Sequence, residues 1–233
     1  MRKNIDKIVL EAIKEQFDKT QNTPSLKSTN EAYAIQARSF KNTTEKLSEK
    51  TKKSHQELLE GYVDIANKVS IKLDSVDYEN ANLNHSNYRS LKIDETYNLN
   101  AAFLHGLYFE NIGDMNSKIT TDSLTFMRLE RDFGSFDKWQ KDFIASCLSA
   151  RNGWAITYYN VYLKKYVNTI IDLHDLHVPI GCIPVIVMDV WEHAYYHDFL
   201  RDRKLYVFSM MKEINWQKIE ERIEKIEMIG RIM

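Results

Sequence analysis

The chain has 233 residues, enough for one large domain or two small ones with a real core. With 43% hydrophobic and 28% charged residues it has the balance of a soluble globular protein, and a net charge of -1 provides no global field toward nucleic acid or a membrane surface. Two cysteines, Cys147 and Cys182, are too few for a disulfide framework and fit two packed thiols in a reducing compartment. No apolar run approaches the roughly 20 residues that a membrane span needs. The first residues, MRKNIDKIVLEAIKEQF, are too acidic and too polar for a signal peptide, so the expected location is the cytoplasm.

Taken in chain order, residues 1–37 carry one amphipathic segment, with Ile5, Ile8, Val9, Ala12, Ile13 and Phe17 at helical spacing, then a polar linker over 20–30. The spacing predicts a helix over 47–76, with His55, Leu59, Tyr62 and Ala66 on one stripe. An Asn-rich loop over 78–87 leads to a second long helix over 86–111, where Tyr97, Ala101, His105 and Tyr108 share a face and Gly113 provides the stop. The two form a hairpin over 38–115, each lending its stripe to a common seam. Two shorter helices follow, over 122–132 and 135–150. From Trp154 the composition turns β-branched and aromatic. Runs at 154–159 and 166–171 bracket Leu163, Lys164 and Lys165 as a β-hairpin, and 183–189 reads as a third strand. The remainder, 190–228, reads as helical. The expected class is α+β: a helical hairpin at 38–115 followed by an α/β domain at 116–233 with a three-stranded antiparallel sheet.

The most informative passage is DVWEHAYYHDF, which begins at Asp189 and closes the most hydrophobic stretch of the chain. A buried carboxylate is costly unless it is paired or binds a metal. Asp189 and His193, four residues apart, converge on one point if the intervening turn is helical. Spacing alone leaves two readings open, a satisfied Asp–His pair beside the core and a metal site. His55 and His105, each on an apolar helix face, are by themselves most simply core histidines. Tyr62 by itself is a core aromatic with its hydroxyl at a boundary. His85 and His197 read as exposed, and His177 as a loop residue.

The full string resembles the DVWEHAYY signature of iron/manganese superoxide dismutases. HQELLEGYV at 55–63 is similar to a first-helix motif of that family, LHGLYFEN at 104–111 to its second-helix motif, FGSFDKW at 133–139 to the opening of its α/β domain, and EINW at 213–216 to an element near its C-terminus. These matches stand in family order over residues 38–226. The resemblance implies that His55, His105, Asp189 and His193 bind one iron or manganese ion per subunit. It implies that Tyr62 is a gateway residue and that His174, reached by counting back from Pro179, Ile180 and Gly181, takes a place where most relatives have Gln. Glu192 matches a Glu that crosses a dimer interface to the ligand His of a partner subunit. Arg203 matches an Arg near the entrance, where positive charge attracts an anion.

Three departures stand out. Leu58 and Leu59 occupy a region where the family often has a His bonded across the dimer to the tyrosine at Tyr195. Ile156 replaces the second Trp of a family GWxW element, and the leading segment has no family counterpart. The chemistry implied is disproportionation of superoxide to dioxygen and hydrogen peroxide, in a homodimer or a dimer of dimers, without nucleic acid or membrane partners. Imidazole and carboxylate suit iron and manganese alike. A rival reading is a structural or interaction protein of the same fold, against which the presence of all four ligand residues argues.

Overall fold

The computed structural model describes residues 32–41, 43–114 and 116–230; the amphipathic segment and polar linker expected within residues 1–31 lie outside them. Among the described residues the order is α1 (Glu49–Asp74), α2 (Asn87–Asn111), α3 (Leu124–Phe133), α4 (Phe136–Ser149), β1 (Gly153–Asn160), β2 (Lys165–Asp172), β3 (Cys182–Asp189), α5 (Glu192–Phe199), α6 (Arg203–Met210) and α7 (Trp216–Gly230). The class is α+β, a helical region followed by a three-stranded antiparallel sheet with helices.

Local chemistry explains where the helices begin. The hydroxyls of Ser48, Ser86, Ser123 and Ser135 accept from the backbone N–H of Thr51, Arg89, Phe126 and Lys138. Each satisfies an otherwise unpaired donor of the first turn, a cap worth about 1 kcal/mol. α1 buries Thr51, His55, Leu59, Val63, Ala66, Val69 and Leu73, a single stripe that lies along α2. α3 ends at Gly134, whose φ of 82° is a conformation that other residues adopt only at a cost.

Residues 33–40 run as an extended strap over the hairpin. Asn67 on α1 acts as a surrogate for a strand neighbour: its Oδ1 accepts from Ile35 N at 2.8 Å and its Nδ2 donates to Ile35 O at 2.9 Å. Gln56 does the same one stretch along, donating to Arg38 O at 2.9 Å and accepting from Phe40 N at 3.4 Å. The strap thereby seats Phe40 against Phe109, ring centroids 5.3 Å apart.

The sheet has strand order β2-β1-β3. β1 sits centrally, with Trp154 opposite Ile171 of β2 and Asp189 of β3. Helix α2 lies against β3, while α4 lies against β1 and β2. Trp139 of α4 donates its indole N–H to Thr157 Oγ1 at 3.0 Å. Both faces of β1 are therefore covered, which is why its residues are buried without alternation.

The stretch from 190 to 228 departs from the single helical reading. It forms three helices, broken by Leu200 at φ 49° and by a non-helical passage around 213–215. The second break has a tertiary cause. Ile214 bridges Ile112, Asn215 N donates to Asn111 O at 2.8 Å, and Gly113 N donates to Glu213 O at 3.0 Å. The Glu213 carboxylate, fully buried, accepts from the backbone N–H of Glu45 and Lys46, each at 3.2 Å. These bonds join segments a hundred or more residues apart, and no local periodicity announces them.

Gly153 opens β1 because nothing larger fits. A Cβ there would stand 1.9 Å from Ile171 O and 3.0 Å from Asp172 Cα, both backbone atoms of the paired strand. Gly153→Ala must part β1 from β2, and the expected loss is at least about 2 kcal/mol, read as a lower denaturant midpoint. An unchanged midpoint would mean that this end of the sheet yields freely.

Candidate metal centre

Four side chains from four elements converge where the hairpin meets the sheet. His55 comes from α1, His105 from α2, Asp189 from the last position of β3 and His193 from the first turn of α5. One donor atom from each lies within 4.8 Å of the others. Asp189 Oδ2 is 3.0 Å from His55 Nε2, 3.2 Å from His193 Nε2 and 3.7 Å from His105 Nε2. His55, His105 and Asp189 are buried, and His193 is partly so.

Asp189 and His193 meet without a continuous helical turn between them. β3 ends, Val190 N donates to Gly153 O at 3.0 Å, and Trp191 N donates to Asp189 Oδ1 at 2.8 Å before α5 begins. One carboxylate oxygen is thereby occupied by backbone and the other is aimed at the three imidazoles. The Asp189 carbonyl is also held. Tyr206 donates its hydroxyl proton to it at 2.8 Å, so Tyr108, 2.9 Å from Tyr206, must be the donor to the Tyr206 oxygen.

The protonation states suit a cation. Burial alone would raise the Asp189 carboxyl, but the His193 charge and hydrogen bonds from His193 and His55 outweigh it and hold the group well below the usual carboxylate range. Burial lowers His55, against the opposing pull of Asp189. Burial, with His55 alongside, lowers His105 further. The set is thus one carboxylate with three imidazoles, of which the buried His55 and His105 are disposed to be neutral, the form in which a ring nitrogen offers a lone pair.

His105 gives the sharpest test of fit. Its Nδ1 is 2.7 Å from the Ala101 carbonyl, which can only accept, so Nδ1 carries the proton and Nε2 bears a lone pair. That Nε2 is buried and has no hydrogen-bond partner among the described residues, although it points into a cluster of donors. An unsatisfied buried acceptor costs about 1–3 kcal/mol. A divalent or trivalent ion at the centre removes that cost. The residues fit iron or manganese.

A second layer of side chains encloses the cluster. His174 is fully buried in the turn after β2. Its Nδ1 accepts from Trp154 Nε1–H at 3.0 Å, so the proton of the neutral ring lies on Nε2, which donates to Tyr62 Oη at 3.1 Å. Burial lowers His174 to about 4 and raises Tyr62 to about 12, the latter with contributions from Tyr97 and Asp189. Both groups therefore hold neutral forms at physiological pH. Trp191 stacks on His174 at 5.0 Å and on His193 at 5.6 Å, closing one side.

The structure thus gathers His55, His105, Asp189, His193, Tyr62 and His174. It places the other candidates elsewhere. Arg203 donates from Nε to Tyr195 Oη at 3.3 Å and from its terminal nitrogens to the carbonyls of Ala150 and Arg151, bracing the end of α4 against α5. Tyr195 is buried and stacks on Tyr206 at 5.1 Å. Glu192 is exposed at the start of α5. Leu59 is buried in the core cluster and Leu58 is half-buried. Ile156 is fully buried in β1, where an aliphatic side chain fills the core. Sequence reasoning gave no site role to Trp154, Tyr108, Tyr206 or Asn100, which act on the site through contacts made by folding. Trp154, at a Gly-Trp strand opening, carried the strongest unread signal.

Comparison with known proteins agrees with this geometry. Residues 122–222 match the family model for iron/manganese superoxide dismutases, C-terminal domain. The chain is 35% identical over 168 residues to an iron superoxide dismutase of Aquifex aeolicus, covering 71% of this chain and 78% of that protein. It is 35% identical over 130 residues to a manganese superoxide dismutase of Haloarcula marismortui, covering 56% and 63%. An iron superoxide dismutase of Cupriavidus metallidurans is 34% identical over 134 residues, covering 57% and 66%. The chain belongs to the iron/manganese superoxide dismutase family.

Asp189→Ala should abolish metal retention, since it removes the single anionic donor of the cluster and leaves three imidazoles. Metal analysis of the purified variant, beside a melt that verifies folding, decides this. Full occupancy would show that the ion is held elsewhere.

Proposed function

We propose that this chain is a superoxide dismutase holding one iron or manganese ion per subunit between His55, His105, Asp189 and His193. The observation that carries the reading is the unpartnered Nε2 of His105, buried and aimed at the other three donors. When bound, such an ion supplies one-electron exchange between two valences, which zinc cannot do. Two superoxide anions and two protons then give dioxygen and hydrogen peroxide.

The residues of the chain control protons and access. Trp154 fixes the His174 tautomer, and His174 Nε2–H occupies a lone pair of Tyr62 Oη. The Tyr62 proton is left free to turn toward the centre, and its raised pKa of about 12 keeps it in place at neutral pH. The indoles of Trp154 and Trp191 exclude bulk water from the walls beside His105 and His193. Arg203 is half-buried, and its charge contributes to the field on an approaching anion.

The same reading includes an assembly. Glu192 and the half-exposed Tyr196 lie on the outer side of α5, one and three residues from His193. That placement supports a homodimer, or a dimer of dimers, in which Glu192 reaches a ligand His of the partner subunit. Cys147 and Cys182 are both free thiols, which supports residence in the cytoplasm. No helix among the described residues is long and apolar enough to cross a membrane. Residues 1–37, 38–115 and 116–233 are taken as an extension, a hairpin domain and the α/β domain.

The test is dismutation measured after loading with iron and, separately, with manganese, with metal content determined and light scattering for mass. Loaded protein no more active than the free ion sinks the reading. Tyr62→Phe should keep the metal and lose about tenfold or more in activity; loss of the metal instead would make Tyr62 a fold residue. His174→Gln should alter the ratio of iron-loaded to manganese-loaded activity, because the group beside the open side of the centre tunes its potential. An unchanged ratio would remove His174 from that role.

A further inference from the structure

We infer that Asn100 of α2 is the positioning residue that holds His174 in register with the metal donors, an inference that rests on the dismutase reading. His174 is carried by a turn with an unfavourable backbone. Leu173, immediately before it, has φ 57°, and His177 has φ 69°, both left-handed and neither glycine. Each such residue costs about 1 kcal/mol or more and persists only where surrounding contacts hold it. The turn needs restraints, and they can be enumerated.

Two are local to the sheet end: Leu173 N donates to Asn152 O at 2.7 Å, and Leu176 N donates to Asp172 O at 3.1 Å. A third, from Trp154, grips the imidazole. The fourth comes from the other side of the site. Asn100 Nδ2 donates to the His174 carbonyl at 3.0 Å, a contact across 74 residues. A carbonyl only accepts, so the amide nitrogen of Asn100 must face it. Tyr97, one turn earlier on α2, packs its ring edge-on against the His174 imidazole at 4.7 Å and 76°.

The location of Asn100 gives the bond its consequence. The next residue, Ala101, supplies the carbonyl that fixes the His105 ring. Two adjacent residues of one helix thus fix a metal donor and the main chain of the outer histidine. Their spacing is set by helix geometry rather than by the docking of two domains. Without the Asn100 bond, the main chain of the left-handed turn keeps its bonds to Asn152 and Asp172, and the hairpin touches the turn through the His174 ring, by Tyr62 and Tyr97. His174 Nε2–H then loses its set distance of 3.1 Å to Tyr62 Oη.

The test uses metal-loaded protein with Asn100→Ala and Asn100→Asp, the second nearly isosteric but without an N–H to donate. Both should keep metal content and lose about tenfold in activity. Amide exchange in the turn at 173–178 should quicken. Combined with His174→Ala, Asn100→Ala should cost no further activity, because it acts through His174. Additive losses, loss of metal, or exchange at 173–178 unchanged in both variants would each overturn the assignment. A parent enzyme that is metal-loaded yet inactive would sink the dismutase reading, and the exchange comparison alone would then decide the tie between Asn100 and the turn.

Discussion

A fully buried carboxylate at the end of β3 is the constraint around which this molecule is arranged. Asp189 has no exposed surface, and removing an ionised carboxylate from water costs several kcal/mol even after relaxation. The strand alone cannot meet that cost. Trp191 N takes Oδ1 from within the same segment, but Oδ2 is satisfied only by His55 and His193, and His55 belongs to the hairpin. The hairpin and the α/β domain thus meet over a charge that neither compensates alone. A metal ion held there would strengthen the same union, since His55, His105, Asp189 and His193 could all be drawn to it.

Such a junction must be held to a few tenths of an ångström, and the chain does so with buried polar groups away from the site. Asn111, the last residue of α2, donates to Val187 O at 3.3 Å and accepts from Arg222 Nη1 at 2.6 Å. Arg222 also reaches the Val185 carbonyl and pairs with Glu110 at 2.9 Å. Together they fasten the end of α2 to β3 two and four residues before Asp189. Glu213 fastens the chain before α1 to the turn before α7. Hydrogen bonds to backbone carbonyls suit this purpose because they fix strand position irrespective of side-chain packing.

The parts legible in the sequence were those encoded locally. Apolar residues at helical spacing gave α1 to α4 close to their observed bounds, and β-branched runs gave the three strands. The convergence of His55, His105, Asp189 and His193 was legible because two of them share a motif and two lie on helix stripes with a matching motif around each. The break at 213–215 was not legible, because a strand-like bridge to Ile112 imposes it on a segment with helical composition. The left-handed Leu173 was equally hidden, since nothing in a leucine marks φ 57°. Asn100 looks like any polar residue on a half-buried helix face until its partner across the junction is seen.

Arg203 and Tyr195 show how a residue remote from the donors can still bear on them. With Leu58 and Leu59 on α1, Tyr195 has no nearby imidazole there to bond, and its hydroxyl accepts from Arg203 Nε instead. Its ring lies nearly parallel to Tyr206, 5.1 Å away, and Tyr206 donates to the Asp189 carbonyl. Arg203 meanwhile holds the carbonyls that end α4. A continuous path therefore runs from the end of α4 through Arg203, Tyr195 and Tyr206 to the backbone of the anionic donor. Where the resemblance implied a histidine partner across a subunit boundary, the Tyr195 hydroxyl has an arginine partner within its own chain, and that bond sets its orientation.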